Sequence, residues 1–325
     1  MSRWTDTRRS LTLRHLAASS APLLVGPWRS ETGFEFLYWL PWLAAWVSRY
    51  HVAPERLYII TRGGAGACYG VPGLHTVELY DHVSVADIRQ AGLEDFQRRG
   101  SVKQTLQVPW ETQLLALVAA KLGLRRYYVL HPSLMYTDLE PWWAGRWGLE
   151  HVMSRIRFSD LGVPPVPLSL ALPEKFVAMK FYARSTFPPD ETLQGWVEQR
   201  IDQFLTRHPD VSVVDLESGI DADDHSPFRI EPHPRVVSIR SVCTPQNNLA
   251  VQAAVLARAS GFIGTYGGTM QLAVRLKKPA VGFYSTWEGT CYAHKALTEY
   301  LGVLQQSTVL IGRPQDADFV AKVMG

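Results

Sequence analysis

Residues 261–285, GFIGTYGGTMQLAVRLKKPAVGFYS, contain five glycines, two of them adjacent, between two apolar runs, and a lysine pair before a proline. The pattern predicts a strand, a tight glycine-rich loop, a helix, a turn and a second strand. Such a loop lets backbone amides approach a ligand, and the N-terminus of the following helix favours an anion. We therefore expect the loop to hold a phosphate or diphosphate, with tight packing and no ligand as the alternative.

The loop GTYGGT matches neither the dinucleotide fingerprint GxGxxG nor the P-loop of NTPases, which argues against both classes. The hydroxyls of Thr265 and Thr269 are further hydrogen-bond donors for a phosphate. The predicted ligand-binding positions of the loop are Gly264, Thr265, Tyr266, Gly267, Gly268 and Thr269.

Strands and helices alternate along the rest of the chain. In the first half, the predicted strands are APLLVGPW, RLYIITRGG, HTVELYD and RYYVLHP, and the predicted helices are FLYWLPWLAAWVSRY and ETQLLALVAAKLGL. In the second half, the predicted strands are KFVAMKFYA, VSVVDL, RVVSI, GFIGT and PAVGFYS, and the predicted helices are DETLQGWVEQRIDQFLTRH, NNLAVQAAVLARAS, TMQLAVRLKK and AHKALTEYLG. This alternation is typical of parallel α/β sheets.

The stretch Leu161–Lys175 holds four prolines and is the best candidate for a linker. A chain of 325 residues suits two domains. We therefore predict two Rossmann-like, doubly wound α/β domains, residues 1–168 and 169–325, that face each other across a cleft. Ligands of such sheets bind beyond the carboxyl ends of the strands.

Composition narrows the classes of partner and cofactor. A net charge of +3 fits an anionic small molecule, but it is too weak to indicate nucleic acid, and no nucleic-acid motif occurs. The three cysteines lack CxxC spacing, which predicts a cytosolic chain without a disulfide framework or zinc site. Histidines lack metal-ligand spacing, and the acidic run at 221–224 reads as a solvated turn. We expect no metal and no cofactor.

The sequence also bears on membranes. The N-terminus is not a convincing signal peptide. The most apolar window, Phe34–Val47, is shorter than the roughly 20 residues that a membrane span needs. Trp142, Trp143 and Trp147 cluster beside Arg146, as in an interfacial belt or an acceptor-binding surface, with core packing as the alternative. We expect a cytoplasmic protein and leave open a peripheral contact to the inner face of the plasma membrane.

The pattern A-x-G-F-I-G-T-x-G-G-x-x-x-L-A-x-x-L-x-K-P-x-V-G-F-Y resembles the donor-binding half of GT-B glycosyltransferases, in particular heptosyltransferase-like and fucosyltransferase-like bacterial enzymes of cell-envelope polysaccharide synthesis. The resemblance covers Val236–Leu301 well and thins toward the first half. It implies that the loop contacts the diphosphate of a nucleotide-sugar donor.

In the first half, Gly33 and Glu35 precede Pro41 with a spacing similar to that of a heptosyltransferase pattern in which an aspartate acts as the catalytic base. The resemblance implies that Glu35 is the analogue of this aspartate, with Glu31 as the competitor. An inverting transfer needs a base on the acceptor hydroxyl and groups that absorb charge on the leaving phosphate. The alternative for both glutamates is a carboxylate that complements a helix dipole.

Charged residues follow several predicted strands. Lys180 and Arg184 end the first strand of the second half, where they could pair with donor phosphates, and Ser185 could donate as well. Arg62 follows the second strand and is the corresponding candidate on the acceptor side. The resemblance implies that Glu288 accepts hydrogen bonds from a ribose. For each, an ordinary loop or surface residue is the alternative.

The sequence thus predicts a metal-independent, inverting glycosyltransferase that uses a nucleotide sugar and a glycan or lipid-linked acceptor. A nucleotide-sugar epimerase on the same scaffold and a non-catalytic nucleotide- or glycan-binding protein remain the alternatives.

Overall fold

The computed structural model describes residues 3–100, 103–167, 169–220, 225–286 and 292–317. The chain divides into two compact units, Met1–Gly162 with Pro245–Asn247 and Val163–Thr244 with Asn248–Gly325. The proline-rich stretch Leu161–Lys175 forms neither helix nor strand in its described residues, and the first unit gives way to the second within it.

The first unit contains a parallel sheet with four strands in its described residues, in the order β3-β2-β1-β4. The strands are β1 (Leu23–Val25), β2 (Leu57–Thr61), β3 (His75–Glu78) and β4 (Tyr128–Leu130). Each coincides with a predicted strand. All three residues of the inner strand β1 are fully buried, as expected of a parallel strand covered on both faces.

The helices of the first unit are α1 (Arg3–Ala18), α2 (Thr32–Phe34), α3 (Leu40–Tyr50), α4 (Val85–Arg99), α5 (Pro109–Lys121), α6 (Ser133–Trp143) and α7 (Leu149–Met153). The two helices predicted over residues 36–50 and 111–124 are confirmed: the observed helical runs are 32–50 and 109–121. Helices α1, α4, α6 and α7 were not predicted from the sequence.

A π-helical segment, Glu35–Trp39, joins α2 to α3 into one continuous helical run. The N–H of Leu40 bonds to Glu35 O, five residues back, in place of the usual four. Pro41 explains this wider turn, because proline has no N–H to continue the α-helical ladder. Such π-segments are frequent at functional sites, and Glu35 is the first residue of this one.

The second unit contains a parallel sheet in the order β12-β11-β10-β5-β7-β9 and a separate antiparallel pair, β6 and β8. The strands are β5 (Phe176–Lys180), β6 (Tyr182–Ala183), β7 (Ser212–Asp215), β8 (Ser226–Pro227), β9 (Val236–Ser238), β10 (Phe262–Thr265), β11 (Ala280–Phe283) and β12 (Val309–Gly312). Counted along the chain, the large sheet has the 3-2-1-4-5-6 order of doubly wound folds, with the switch point between β5 and β10. The predicted α/β class with parallel sheets is confirmed.

The helices of the second unit are α8 (Glu191–Arg207), α9 (Asn248–Arg258), α10 (Gly268–Arg275) and α11 (Tyr292–Leu304). Helix α8 shows why these segments are helical. Val197, Ile201 and Leu205 recur every four residues, and all three are buried in one apolar cluster. Burying each such side chain is worth about 1.5–3 kcal/mol. The carboxylate of Asp190 caps the helix by accepting a hydrogen bond from the N–H of Thr192 at 2.7 Å.

Candidate functional site

The loop from β1 to α2 is held from three sides by buried groups of the first unit. The N–H of Arg29 donates to Gln104 Oε1 at 3.0 Å, and Arg62 Nη2 donates to Ser30 O at 2.8 Å. The hydroxyls of Ser30 and Tyr136 lie 3.1 Å apart. The loop leaves the carboxyl end of an inner strand, which is the edge where parallel α/β sheets bind ligands.

Glu31, one of the two predicted bases, ends this loop. It is half-buried, its backbone is extended, and its side chain caps no N–H of α2. Glu31 is therefore reachable from solvent without rearrangement.

Glu35, the other predicted base, is fully buried. Its Oε1 accepts hydrogen bonds from Thr61 Oγ1 at 2.5 Å and from the Tyr69 hydroxyl at 2.9 Å. Its Oε2 receives no hydrogen bond from any residue in the described ranges. One oxygen of the carboxyl group is thus fixed, whereas the other is bare.

The pKa of Glu35 is raised to about 7, because burial disfavours the charged carboxylate. The Thr61 hydrogen bond, the Arg62 charge and the Tyr69 hydrogen bond oppose this effect, and the nearby charge of Glu78 adds to it. A carboxyl group with a pKa near neutrality exchanges its proton readily at physiological pH, as a general acid or base must.

Arg62 is the residue that the sequence predicts on the acceptor side. It is only 3% exposed, and it donates to the backbone of Ser30. Its charge also lowers the pKa of Glu35. Arg62 therefore holds the β1–α2 loop in place and lowers the pKa of Glu35, both from within the first unit.

A buried network that the sequence analysis missed also reaches this loop. Arg29 Nε donates to Glu111 Oε1 at 2.8 Å, and Arg29 Nη2 pairs with Asp95. Gln104 Nε2 donates to the same Glu111 oxygen at 2.8 Å, and His131 Nε2 lies 3.1 Å from Glu111 Oε2. All five side chains are buried. Because Arg29 lies two residues before Glu31, the network anchors one end of the candidate site.

The chemistry of this network is defined by its hydrogen bonds. His131 Nδ1 accepts from the N–H of Ser133 at 3.1 Å, so the Nε2 proton faces Glu111. Although burial works to raise the pKa of Glu111, its hydrogen bond to His131 and its electrostatic attraction to His131 and Arg29 outweigh burial and lower the pKa to about 2. Glu111 is therefore ionised at neutral pH.

In the second unit, the predicted glycine-rich loop follows β10 and opens α10. Gly264 packs against β5, and Gly267 packs against the hydroxyl of Tyr182. The Thr265 hydroxyl donates to Tyr182 O and accepts from Tyr182 N, both at 3.0 Å. Its one proton is therefore engaged inside the unit, so Thr265 can serve a ligand only through its backbone. The N–H of Tyr266 is likewise engaged, by Phe283 O at 2.8 Å.

Arg184 lies at the N-terminus of α10. A Cβ atom built on Gly267 would lie 3.4 Å from Arg184 Nη1, so the guanidinium borders the first turn, which holds Gly268 and Thr269. The first N–H groups of a helix have no partner within the helix. A cation beside such amides makes the position electropositive. Ser185, the next residue, is exposed.

Lys180 ends β5, as predicted, and its Nζ donates to Gln252 Oε1 at 3.2 Å. Two acidic residues that were not predicted from the sequence lie at the carboxyl end of the neighbouring strand β7: Asp215 is its last residue, and Glu217 follows it. Asp215 Oδ1 accepts from the N–H of Glu217 at 3.0 Å. Burial raises the pKa of Asp215 to about 6, and the charge of Lys180 works against this. The strand pattern VSVVD contained the signal, since an acid after the second strand of a doubly wound sheet is a common ribose contact.

Glu288, the predicted ribose contact, lies outside the described residues. Among the predicted interfacial tryptophans, Trp142 is buried and donates to the Tyr38 hydroxyl at 3.2 Å. Trp147 is half-buried, with the guanidinium of Arg155 5.5 Å from its ring centroid. Within the described part of the chain, no helix is long and apolar enough to cross a membrane.

The comparisons with known proteins give weak similarities. No protein-family model matches this chain, and no curated protein matches it. Among solved structures, it is similar to a glycosyl transferase family 9 protein from Veillonella parvula, at 11% identity and a TM-score of 0.46 over 94% of this chain and 89% of that one. It is also similar to the E. coli ADP-heptose LPS heptosyltransferase II, at 13% identity and a TM-score of 0.41 over 88% and 98% of the two chains.

A third similar structure is a UDP-N-acetylglucosamine 2-epimerase, at 11% identity and a TM-score of 0.38 over 93% of this chain and 86% of that one. Similarity at these values is a likeness of backbone and says nothing of activity.

Proposed function

We propose that the protein is a glycosyltransferase that moves a sugar from a nucleotide-sugar donor to a hydroxyl of a glycan or lipid-linked acceptor. The observation that carries this proposal is Glu35. A buried carboxyl group with a pKa of about 7, one fixed oxygen and one bare oxygen is suited to proton transfer. It lies just beyond the carboxyl end of an inner strand, where such folds bind ligands.

In the proposed reaction, the acceptor hydroxyl oxygen attacks the anomeric carbon of the donor sugar. The bond from that carbon to the diphosphate oxygen breaks, and the diphosphate leaves with the electron pair. The attack comes from the face opposite the leaving diphosphate, which inverts the anomeric centre, and the Glu35 carboxylate takes the hydroxyl proton. In this proposal no step uses a metal. A positioned general base typically contributes about 10²–10⁴-fold to such a step.

The second unit supplies groups suited to the donor. The Arg184 guanidinium lies beside the first turn of α10, so a cation and the N–H groups of a helix N-terminus are available there to the leaving diphosphate. Lys180 adds a second cation at the end of β5. Asp215 ends β7 and Glu217 follows it. In doubly wound sheets, an acidic residue at this strand end accepts hydrogen bonds from a ribose. Glu288 remains the further candidate for this contact.

The acceptor is the less defined substrate. The resemblance of residues 261–285 to cell-envelope enzymes favours a surface polysaccharide or lipopolysaccharide precursor. We place such a reaction in the cytoplasm, with a peripheral contact to the inner face of the membrane. The half-buried Trp147 under Arg155 is the aromatic and cationic pair that supports this contact.

The first test is nucleotide binding. Purified protein is heated with GDP, UDP, CMP, ADP or TDP, with and without magnesium. Binding at 100 times the dissociation constant stabilises a fold by about 2.7 kcal/mol, which is readily seen. We expect a shift with one nucleotide that is indifferent to magnesium and is lost in Arg184→Gln. No shift with any of them would remove the donor half of the proposal.

The second test separates the two carboxylates. With the nucleotide sugar so identified, Glu35→Gln should lower release of the nucleoside diphosphate by about 100-fold or more while donor affinity holds. Glu31→Gln is the matched control. If only Glu31→Gln is inactive, the base is Glu31. An epimerised nucleotide sugar formed without acceptor would point to the epimerase instead.

A further inference from the structure

Two hydroxyl groups converge on one oxygen of Glu35. Thr61 ends β2, and Tyr69 ends the short 3-10 helix Ala65–Tyr69, which follows the same strand. Their hydroxyls lie 2.5 and 2.9 Å from Glu35 Oε1, and all three residues are at most 2% exposed. No described residue donates to Oε2. Two donors on one oxygen restrict rotation of the carboxyl group about its last bond.

We propose that Thr61 and Tyr69 are positioning residues that lock Oε1 of Glu35, so that Oε2 is the atom that takes the proton from the acceptor. This inference rests on the proposed function, in which Glu35 is the base. It also explains why the carboxyl group carries donors on one oxygen only, since a donor on Oε2 would compete with the substrate hydroxyl.

Tyr69 is suited to a permanent donor. Burial, together with the charge of Glu35, raises its pKa well above the ordinary value, so its phenol keeps the proton throughout the working pH range. The thiol of Cys68, the preceding residue, does not compete with Glu35 as a proton acceptor, because burial and the charge of Glu35 raise the thiol pKa to about 12. The thiol therefore stays neutral beside the carboxyl group.

The other charges that face Glu35 are also fixed. Arg62 on the same strand end lowers the pKa of Glu35, and Glu78 at the end of β3 raises it. Glu78 is itself bound by the N–H groups of Gly63 at 3.0 Å and Gly64 at 2.7 Å. This contact ties the turn after Arg62 to β3. The hydroxyls of Thr61 and Tyr69 can therefore be removed without breaking the hydrogen bonds from Gly63 and Gly64 to Glu78 that hold this turn.

The test uses Thr61→Val and Tyr69→Phe, which remove the hydroxyls and keep the side-chain shapes. Thr61→Ser restores the hydroxyl, and Tyr58→Phe removes a tyrosine hydroxyl elsewhere on β2. The pKa of Glu35 is read from the side-chain carboxyl ¹³C resonance of glutamate-labelled protein, assigned by its loss in Glu35→Gln. Because a hydrogen bond to the charged form favours ionisation, each removal should raise this pKa by about one pH unit.

We expect the acid limb of the kcat/KM profile to move to higher pH by the same amount in Thr61→Val and Tyr69→Phe. It should return to the wild-type position in Thr61→Ser and stay there in Tyr58→Phe. An unchanged Glu35 pKa in folded Thr61→Val and Tyr69→Phe would overturn the inference. If the Glu35 pKa moves while the acid limb of the kcat/KM profile stays fixed, Glu35 is not the base. Thr61 and Tyr69 would then still position its carboxyl group, but without a role in the reaction.

Discussion

Gly264 of β10 lies directly opposite Lys180 of β5, so closely that a Cβ atom on Gly264 would come within 2.1 Å of Lys180 O. The obstacle is backbone in the middle of a parallel sheet, which no side-chain rotation can clear. Since β5 and β10 flank the switch point of the second sheet, this glycine sets the spacing of the strands beneath the candidate donor site.

We predict that Gly264→Ala destabilises the second unit by about 2–3 kcal/mol or more, because overpacking a sheet forces a backbone shift. Urea unfolding measures the loss. Gly195→Ala on the exposed face of α8 is the matched control, since its Cβ would meet nothing within 4 Å. The control should be stabilised by about 0.5–1 kcal/mol, as expected for alanine in a helix. Equal behaviour of the two variants would contradict the packing role.

Gly267 makes a softer contact. A Cβ at this position would lie 2.0 Å from the Tyr182 hydroxyl, which is the far end of a side chain. The backbone of Gly267 is extended, so alanine meets no backbone strain there. We predict that Gly267→Ala is destabilised and that the double variant with Tyr182→Phe recovers most of the loss. Thermal unfolding of both single variants and the double variant gives the coupling.

If the two changes are simply additive, the Tyr182 hydroxyl is not the obstacle. If the double variant does recover its stability, its nucleotide binding tests whether Gly267 also serves the ligand. Retained binding would show that Gly267 is required for packing, whereas lost binding would show that the ligand needs the bare Cα.

The sequence predicted most of the strands, because they are short apolar runs bounded by turn residues, as in VSVVDL before Glu217, but it did not predict β8 or β12. It did not predict α6, since Pro141 interrupts the helical pattern and the adjacent tryptophans suggested a surface. Both predicted glutamates follow β1, but their different burial could not be foreseen. The partners of Glu35 come from 26 and 34 positions further along the chain.

The same limit hid the buried network around Arg29. Its carboxylate partners Asp95 and Glu111 are 66 and 82 positions away, and each looks like an ordinary acid on an amphipathic helix. Only the order of the strands brings such residues together. Local patterns therefore found the edges of the sheets where ligands bind, whereas the electrostatic setting of each side chain required the tertiary fold.

Burial of Glu35 should leave a signature in the pH dependence of stability. Its pKa rises from 4.5 to about 7 on folding, so between these values the folded state holds the proton that the unfolded state has released. Stability therefore falls as pH rises through this window. Relative to wild type, Glu35→Gln should gain stability from pH 4 to pH 8, by a total of about 3 kcal/mol. Urea unfolding at several pH values measures the difference, and a flat difference would mean that Glu35 ionises freely.

Glu111 should show the opposite sign. Its pKa falls from 4.5 to about 2 on folding, so the folded state favours the ionised form. The stability that this contributes is fully present above pH 4.5 and is lost as pH falls toward 2. Glu111→Gln should therefore be less stable than wild type at neutral pH by about 3 kcal/mol, with the gap closing below pH 4.5. The two glutamine variants are controls for each other, because their differences from wild type change in opposite directions with pH. A gap for Glu111→Gln that persists unchanged to pH 2 would show that the network with Arg29 and His131 does not hold this carboxylate in its charged form.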